Sequence, residues 1–161
     1  MIDSYIGIGS NLEQPIKQVF NAFAELDQMQ QSSLVEFSSL YISRPMGPKD
    51  QPPYINAVAQ LATSLSPHEL LTQLNAIENN HGRSRRGEHW GPHTLNLDIL
   101  VYGNISFKDQ TLTIPHPGIR QREFVLYPLH EVNKNLMIPN LGRVSRIKSR
   151  CYVNGMRRLH L

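Results

Sequence analysis

Two helix starts, each marked by a proline, divide the first two thirds of this 161-residue chain. Pro15 opens a stretch to about residue 30 whose apolar side chains recur at helical spacing. Those side chains are Ile16, Val19, Phe20, Phe23 and Leu26. Further on, Ser66, Pro67 and Glu69 have the spacing of an N-cap, a first helical residue and a capping box, which predicts a second helix to about residue 80.

Short apolar segments around these helices predict strands at residues 5–9, 34–41, 54–63 and 95–102. The resulting order, strand-helix-strand-strand-helix-strand, is typical of a ferredoxin-like α+β fold, with an antiparallel sheet and both helices on one face. Two long loops, residues 44–53 with four prolines and residues 81–92, are expected over the opposite, helix-free face. In the C-terminal extension we predict a hairpin (105–106 with 112–113) and helices at 124–132 and 144–150.

Length and composition predict one domain, residues 1–161. The single cysteine, Cys151, excludes an intramolecular disulfide, and no targeting segment or membrane-spanning apolar run is present. We therefore expect a cytoplasmic protein without a membrane partner. We also expect a monomer. The net charge of +3 is modest for a nucleic-acid-binding protein, and the clustering of the arginines favours a small anionic ligand instead.

The segment Leu95-Asn96-Leu97-Asp98-Ile99 places two oxygen-bearing side chains two residues apart in an otherwise apolar strand. Residues at that spacing face the same side of an extended chain, so Asn96 and Asp98 project together while their neighbours face the core. Such a pair can bind Mg²⁺, which proteins usually hold with one or two ligands together with substrate phosphates and water. The alternative is an edge strand with one solvated face.

Familiar phosphate-binding loops are absent from the sequence. Residues 7–12 lack the third glycine of a dinucleotide fingerprint, and no Gly-Lys-Ser/Thr triplet occurs. If the protein binds a nucleoside triphosphate, arginine side chains and a metal must therefore bind the phosphates. Arg83, Arg85 and Arg86 can do so, because a guanidinium group forms bidentate hydrogen bonds with phosphate oxygens. A solvated basic loop is the alternative.

The histidines offer a competing zinc hypothesis, formed by His81, His89, His93 and His116. Gly91-Pro92 excludes helical ligand spacing, and neither a thiolate nor a His-Glu-x-x-His element accompanies them, which disfavours zinc. His116 lies between prolines ahead of Arg120 and Arg122, where it can donate to a phosphate or serve as an ordinary turn residue.

Four blocks of this sequence stand out together: residues 9–12, 47–56, 90–99 and 113–116, the last followed by Arg122-Glu123-Phe124. Over residues 5–139 they give the chain a close resemblance to the 6-hydroxymethyl-7,8-dihydropterin pyrophosphokinase family of folate biosynthesis. It implies a ferredoxin-like fold and transfer of the β,γ-pyrophosphoryl group of ATP to the pterin hydroxymethyl group, with two Mg²⁺ ions held by two aspartates on one strand.

The resemblance also implies a role for individual residues. Asp98 matches the second metal-binding aspartate, Asn96 stands at the first, and Arg83, Arg85 and Arg86 belong to a catalytic loop. The implied ATP contacts are Arg83, Ile99, Thr113, His116 and Arg122. The implied pterin contacts are Ser43, Pro45, Met46, Tyr54, Asn56, Trp90 and Phe124.

The chain departs from the family pattern at two positions, where His93 replaces an arginine and Asn96 an aspartate. An asparagine keeps an oxygen that can bind Mg²⁺ but contributes no negative charge. Two hypotheses therefore stand: a pyrophosphokinase of full or reduced rate, and a paralogue that binds pterin or nucleotide without catalysis. An RNA-binding sheet would need exposed aromatic side chains on its central strands, which the sequence lacks.

Overall fold

The structure, a computed structural model, describes residues 1–44, 51–82 and 95–161. Its first part contains β1 (Ile2–Ser10), α1 (Pro15–Asp27), β2 (Ser32–Phe37), β3 (Tyr41–Ser43), β4 (Tyr54–Thr63), α2 (Pro67–Asn80) and β5 (Asn96–Tyr102). Its second part contains β6 (Phe107–Lys108), β7 (Thr113–Ile114), a 3₁₀ turn (Ile119–Gln121), α3 (Glu123–Val132), β8 (Met137–Ile138), β9 (Gly142–Arg143), α4 (Val144–Ser149) and β10 (Arg157–Arg158).

The main sheet is antiparallel, and β1 lies between β4 and β5. Both β2 and β3 pair with β4, and β10 adds an outer strand beside β3. Each helix carries the chain past one strand before the chain re-enters the sheet. As a result, β4 lies between β1 and β2, and β1 lies between β4 and β5. The predicted ferredoxin-like α+β core is confirmed.

Helices α1 and α2 cover one face of this sheet. The apolar stripe of α1 packs with that of α2 against alternate residues of β1, β4 and β5, such as Ile6, Ala57 and Leu97. The capping box that starts α2 is present: Glu69 N donates to Ser66 Oγ (3.2 Å), and Ser66 N donates to Glu69 Oε1 (2.8 Å). Local sequence signals thus correctly predict the start of α2 and the face that both helices bury.

The opposite face is not free of helices, which corrects the sequence expectation. Helix α3 and the segments after it form a second apolar cluster with Tyr5, Val58 and Leu100. These three residues lie toward one end of the sheet, so α3 covers that half of the face. The sequence pattern identified α3 but did not indicate where it packs, because a short apolar helix fits either face.

Several predicted element bounds differ from the structure; β1, for example, begins at Ile2, three residues before the predicted start. The strand predicted at 34–41 is divided into β2 and β3, because Ser38 Oγ accepts a hydrogen bond from Val58 N (2.9 Å) and interrupts the backbone ladder. The hairpin of the extension pairs β6 with β7, since Asp109 Oδ1 accepts from Thr111 N and Leu112 N and sets the turn later than expected. Helix α1 ends at Asp27, three residues before the predicted end.

Across the three described ranges, no helix is both long and apolar enough to cross a lipid bilayer.

Candidate functional site

A row of polar side chains crosses the part of the sheet face that α3 does not cover. Gly9 of β1 is paired with Asn56 of β4 on one side and with Asn96 of β5 on the other. Directly paired residues share a face, so Asn56 and Asn96 lie on the side away from α1 and α2. The central position between two amides is therefore occupied by a residue without a side chain.

The absence of a side chain at Gly9 brings the neighbouring groups close to the β1 backbone. A Cβ built there would lie 3.4 Å from Asn56 Oδ1 and 3.7 Å from Tyr54 Cδ1. Any longer side chain would extend between the two amides. A ligand that spans from Asn56 to Asn96 can thus approach the strand itself at this point.

Asn96 and Asp98 lie side by side, as the alternation of β5 predicts. Asn96 Nδ2 donates to Asp98 Oδ2 across 2.9 Å, both side chains are half-buried, and Leu97 between them is in the core. This hydrogen bond orients the carboxylate and turns the Asn96 carbonyl oxygen away from it, because an amide carries its donor and acceptor on opposite sides. Two oxygen ligands of different charge are presented from one strand.

The backbone that carries this pair is held by a buried carboxylate of α2. Glu78 is only 2% exposed, and its Oε2 accepts from Leu97 N at 2.8 Å. Among the residues that the structure describes, β5 is an edge strand of the sheet, and Glu78 takes the place of a strand partner on the outer side of this N–H. The side chain of Glu78 thereby holds the backbone between Asn96 and Asp98, whose register is set by pairing with β1.

We expect Glu78→Leu to lower the free energy of unfolding by about 1–3 kcal/mol, because the Leu97 N–H would be left buried without its acceptor. Glu78→Gln keeps an acceptor oxygen of the same size and is the matched control. Chemical denaturation of the two variants measures the difference. Equal stability of Glu78→Leu and Glu78→Gln would show that the hydrogen bond contributes nothing.

His116 lies next to this pair at the end of the segment that follows β7. Its backbone N donates to Leu100 O of β5 (2.9 Å), and its Nδ1 accepts from Gly118 N (3.0 Å). With Nδ1 as the acceptor, the ring proton is on Nε2 and can be donated to a ligand. Burial lowers the pKa of His116; the Asp98 carboxylate opposes this effect and the Arg122 guanidinium adds to it.

Arg122 and Phe124 lie at the start of α3, on the same side of the site. The Arg122 guanidinium carbon is 5.9 Å from the centre of the Phe124 ring, within the range of a cation–π contact. The guanidinium also packs on the backbone of Gly118, where a Cβ would be only 2.7 Å from its Nε and 2.8 Å from Cζ. Gly118 therefore leaves the space in which Arg122 lies.

The residues expected to contact a pterin ring lie at the β3–β4 end of the row. Asn56 is 5% exposed and its Nδ2 donates to Ser43 Oγ (2.6 Å), so the amide has a defined orientation. Tyr54 is half-buried, and burial raises the pKa of its hydroxyl. Just before β4, Asn11 Nδ2 donates to Gln51 Oε1 (3.1 Å) and to Pro52 O (3.2 Å), which attaches the incoming chain to the end of β1.

One predicted ATP contact, Ile99, does not join this cluster through its side chain. Ile99 is 3% exposed and packs in the core under α1 and α2, on the opposite face from Asp98. Thr113 is half-buried on β7, three positions before His116. The remaining predicted site residues lie outside the described residues: Arg83, Arg85, Arg86, Pro45, Met46 and Trp90, together with His93.

Sequence reasoning missed three residues that support the site: Asn11, Glu78 and Gly118. Asn11 and Glu78 act through contacts with segments that are distant in sequence, and neither has a local signal beyond its residue type. The turn geometry around His116 was the only available indication for Gly118.

The donor set is compatible with Mg²⁺. The ion prefers oxygen ligands and is usually held by one or two protein groups together with phosphates and water, and Asn96 and Asp98 supply an amide oxygen and a carboxylate on one face. Within the described ranges, no group of three or more histidine, cysteine, aspartate or glutamate side chains could hold a metal by itself. The ring nitrogens of His81, one of the residues of the zinc hypothesis, contact Gln18 and Glu25 of α1.

Comparisons with known proteins agree with this geometry. The chain is 49% identical over 140 residues to 2-amino-4-hydroxy-6-hydroxymethyldihydropteridine pyrophosphokinase of Haemophilus influenzae, with 87% of each chain covered. It is 41% identical over 155 residues to the protein of the same name from Pseudomonas aeruginosa, with 96% of this chain and 95% of the relative covered.

Among solved structures, HPPK-DHPS of Plasmodium falciparum with pteroate superimposes with a TM-score of 0.72 at 11% identity, over 92% of this chain and 42% of that one, which indicates a shared fold. A family model described as 7,8-dihydro-6-hydroxymethylpterin-pyrophosphokinase (HPPK) matches residues 5–134. On the strength of that match and of these relatives, the chain belongs to the 7,8-dihydro-6-hydroxymethylpterin-pyrophosphokinase family.

Proposed function

We propose that the chain catalyses ATP-dependent pyrophosphoryl transfer to 6-hydroxymethyl-7,8-dihydropterin, giving the pterin diphosphate and AMP. In this reaction the hydroxymethyl oxygen bonds to the β-phosphorus of ATP, the bond from that phosphorus to the oxygen bridging the α-phosphorus breaks, and the hydroxyl proton is released. The observation that carries the proposal is the polar row through Asn56, Gly9 and Asn96, which ends beside Asp98 and His116.

The β3–β4 end of the row suits a flat heteroaromatic ring. The Asn56 amide, oriented by Ser43, can pair with a ring edge that carries adjacent donors and acceptors. Tyr54 and Phe124 supply aromatic surface for the faces of such a ring. Pro45, Met46 and Trp90 complete this pocket in the proposal, which for these three residues rests on the sequence resemblance.

The β5 end suits the phosphates. His116 offers its Nε2–H to a phosphate oxygen, and Arg122 offers a guanidinium held by Gly118 and Phe124. Asn96 and Asp98 would hold Mg²⁺, which when bound neutralises charge on the phosphate oxygens. Arg83, Arg85 and Arg86 would stabilise negative charge on the transferring group, and Ile99 and Thr113 would add nucleotide contacts.

The proposed partners are therefore two small molecules, ATP and the pterin, with Mg²⁺ as cofactor. We propose that the protein acts as a cytoplasmic monomer, without nucleic acid, through the single domain of residues 1–161. A single shared site for both substrates is required, because the acceptor oxygen must reach the β-phosphorus directly.

Chromatographic detection of AMP tests the proposal. Enzyme, ATP, saturating Mg²⁺ and 6-hydroxymethyl-7,8-dihydropterin should give AMP and pterin diphosphate in equal amounts, with no ADP. Absence of AMP at high enzyme and Mg²⁺ concentration would refute it. Tight pterin binding by calorimetry under those conditions would instead support the non-catalytic paralogue.

Gly118→Ala is expected to raise KM for ATP about tenfold, because the new Cβ would displace the Arg122 guanidinium from its place beside the phosphates. The backbone at Gly118 (φ −93°, ψ 4°) suits alanine, so thermal stability should not change. Steady-state kinetics measure the effect. In an Arg122→Ala background the same substitution should add nothing, and a full additional loss there would contradict the mechanism.

A further inference from the structure

The C-terminal segment, residues 154–159, contacts the protein beside both walls of the pterin end of the site. On one side it pairs with β3, the strand that ends in Ser43. On the other side Asn154 N donates to Glu123 Oε1 (3.3 Å) at the start of α3, next to Phe124. One short stretch of chain thus bridges two elements that are distant in sequence.

Pairing with this segment gives β3 its second neighbour in the sheet. Arg157 and Arg158 of β10 lie opposite Ile42 and Tyr41, and Leu159 N donates to Leu40 O (2.8 Å). Strand β3 is only three residues long, and without β10 it would be an outer edge with unpaired backbone groups. The tail therefore restrains the position of β3.

The position of β3 matters to the site through one hydrogen bond. Ser43, the last residue of β3, accepts from Asn56 Nδ2 at 2.6 Å and so sets the rotation of that amide. A displaced Ser43 would release Asn56, and the amide would then have to be ordered again when a ligand binds. Such ordering weakens binding without altering the reacting groups.

A second contact joins the tail to the residue after Ser43. Gly155 has φ +79°, and its backbone packs against the Arg44 side chain so closely that a Cβ would lie 2.6 Å from Nε and 3.0 Å from Cδ. Both the left-handed conformation and the close approach favour glycine at this position. The tail thus contacts this region at two independent points, through the pairing of β10 with β3 and through the packing of Gly155 against Arg44.

We propose that residues 154–159 position the pterin-binding groups, so that the tail contributes to pterin affinity and not to nucleotide affinity. Gly155 and Leu159 are positioning residues: they act through β3, Ser43 and Asn56. The inference rests on the proposed function, since it assigns the pterin to this end of the row.

The first test removes, from the full-length protein, one backbone hydrogen bond together with the packing of the Leu159 side chain against the core. Leu159→Pro deletes the N–H that donates to Leu40 O, and His160→Pro places the same ring one residue beyond that bond as a control. Leu159→Pro should raise KM and Kd for the pterin about tenfold, leave KM for ATP and kcat unchanged, and speed hydrogen exchange at 41–43. His160→Pro should resemble the wild type in every measurement.

The second test keeps the strand pairing and disturbs Arg44. Gly155→Ala should weaken pterin binding in the same selective way. Gly142→Ala is the matched control, because Gly142 also has a positive φ (+103°) but has nothing within 4 Å of a built Cβ. The two alanine variants share the conformational cost, so a difference in pterin affinity between them reports the contact with Arg44.

Unchanged pterin affinity in folded Leu159→Pro and Gly155→Ala would overturn the inference, as would an equal loss of ATP affinity or the same loss in either control. Hydrogen exchange at 41–43 separates this failure from failure of the proposed function, because it needs no substrate. If the wild-type protein neither binds the pterin nor forms AMP, both the proposed function and this inference are refuted. If hydrogen exchange at 41–43 nevertheless depends on Leu159, the structural link between the tail and β3 is still established.

Discussion

Asp98→Asn is expected to lower kcat about a thousandfold. Asp98 is the only carboxylate in the Asn96–Asp98 pair, and its loss leaves two neutral amides facing the phosphates. Unit charges about 4 Å apart interact by roughly 4 kcal/mol at an effective dielectric constant near 20. If all of this energy were lost from the transition state, the rate would fall about a thousandfold. Single-turnover AMP formation at saturating substrates measures the effect.

The isosteric amide preserves the fold, since Asn96 Nδ2 can donate to the side-chain oxygen of an asparagine at the same place. Asp3→Asn is the matched control. It removes an exposed carboxylate near the start of β1, away from the Asn96–Asp98 pair, and should leave kcat unchanged. Near-normal turnover of folded Asp98→Asn would exclude Asp98 from metal binding.

Asn96→Asp is expected to raise the rate by up to about a thousandfold, the size of the charge interaction that the amide lacks. The substitution supplies a second carboxylate on the same face of β5 and removes the Asn96–Asp98 hydrogen bond. Steady-state AMP formation, measured side by side with the wild type over a range of Mg²⁺ concentrations, tests this. The half-saturating Mg²⁺ concentration should fall as well.

The same substitution has a second expected result that needs no turnover. Two carboxylates at a separation close to the present 2.9 Å repel each other, so Asn96→Asp should lower Tm without metal, and added Mg²⁺ should restore it. Asn104→Asp adds the same charge on the exposed turn beyond the other end of β5 and controls for net charge. A Tm of Asn96→Asp that does not respond to Mg²⁺, together with unchanged kinetics, would contradict a metal role for this position.

Local sequence signals predicted most of the fold. The capping box at Ser66 and Glu69 and the proline at Pro15 mark helix starts because they satisfy or avoid unpaired N–H groups within one turn. The break at Ser38 was not predictable in the same way, because its hydroxyl takes the place of a backbone carbonyl as the acceptor for Val58 N–H of β4. A bond between segments that are distant in sequence leaves no trace in local periodicity.

The alternation of β5 predicted the pairing of Asn96 with Asp98, since side chains two residues apart share a face on any extended strand. The supports of that pair were not predicted. In the sequence, Glu78 looks like an ordinary polar residue of α2, and Gly118 looks like a turn glycine. Their roles become visible only in the structure, where α2 packs beside β5 and Arg122 packs on the turn.

By itself, then, the sequence determined the order of strands and helices, the shared face of Asn96 and Asp98 and the family resemblance, because these depend on spacing along the chain. Only the tertiary structure decided that α3 covers half of the second sheet face, that Glu78 holds the β5 backbone and that the C-terminal tail pairs with β3. Those contacts join residues far apart in sequence, and their energies depend on burial and distance, which arise only once the sheet has formed.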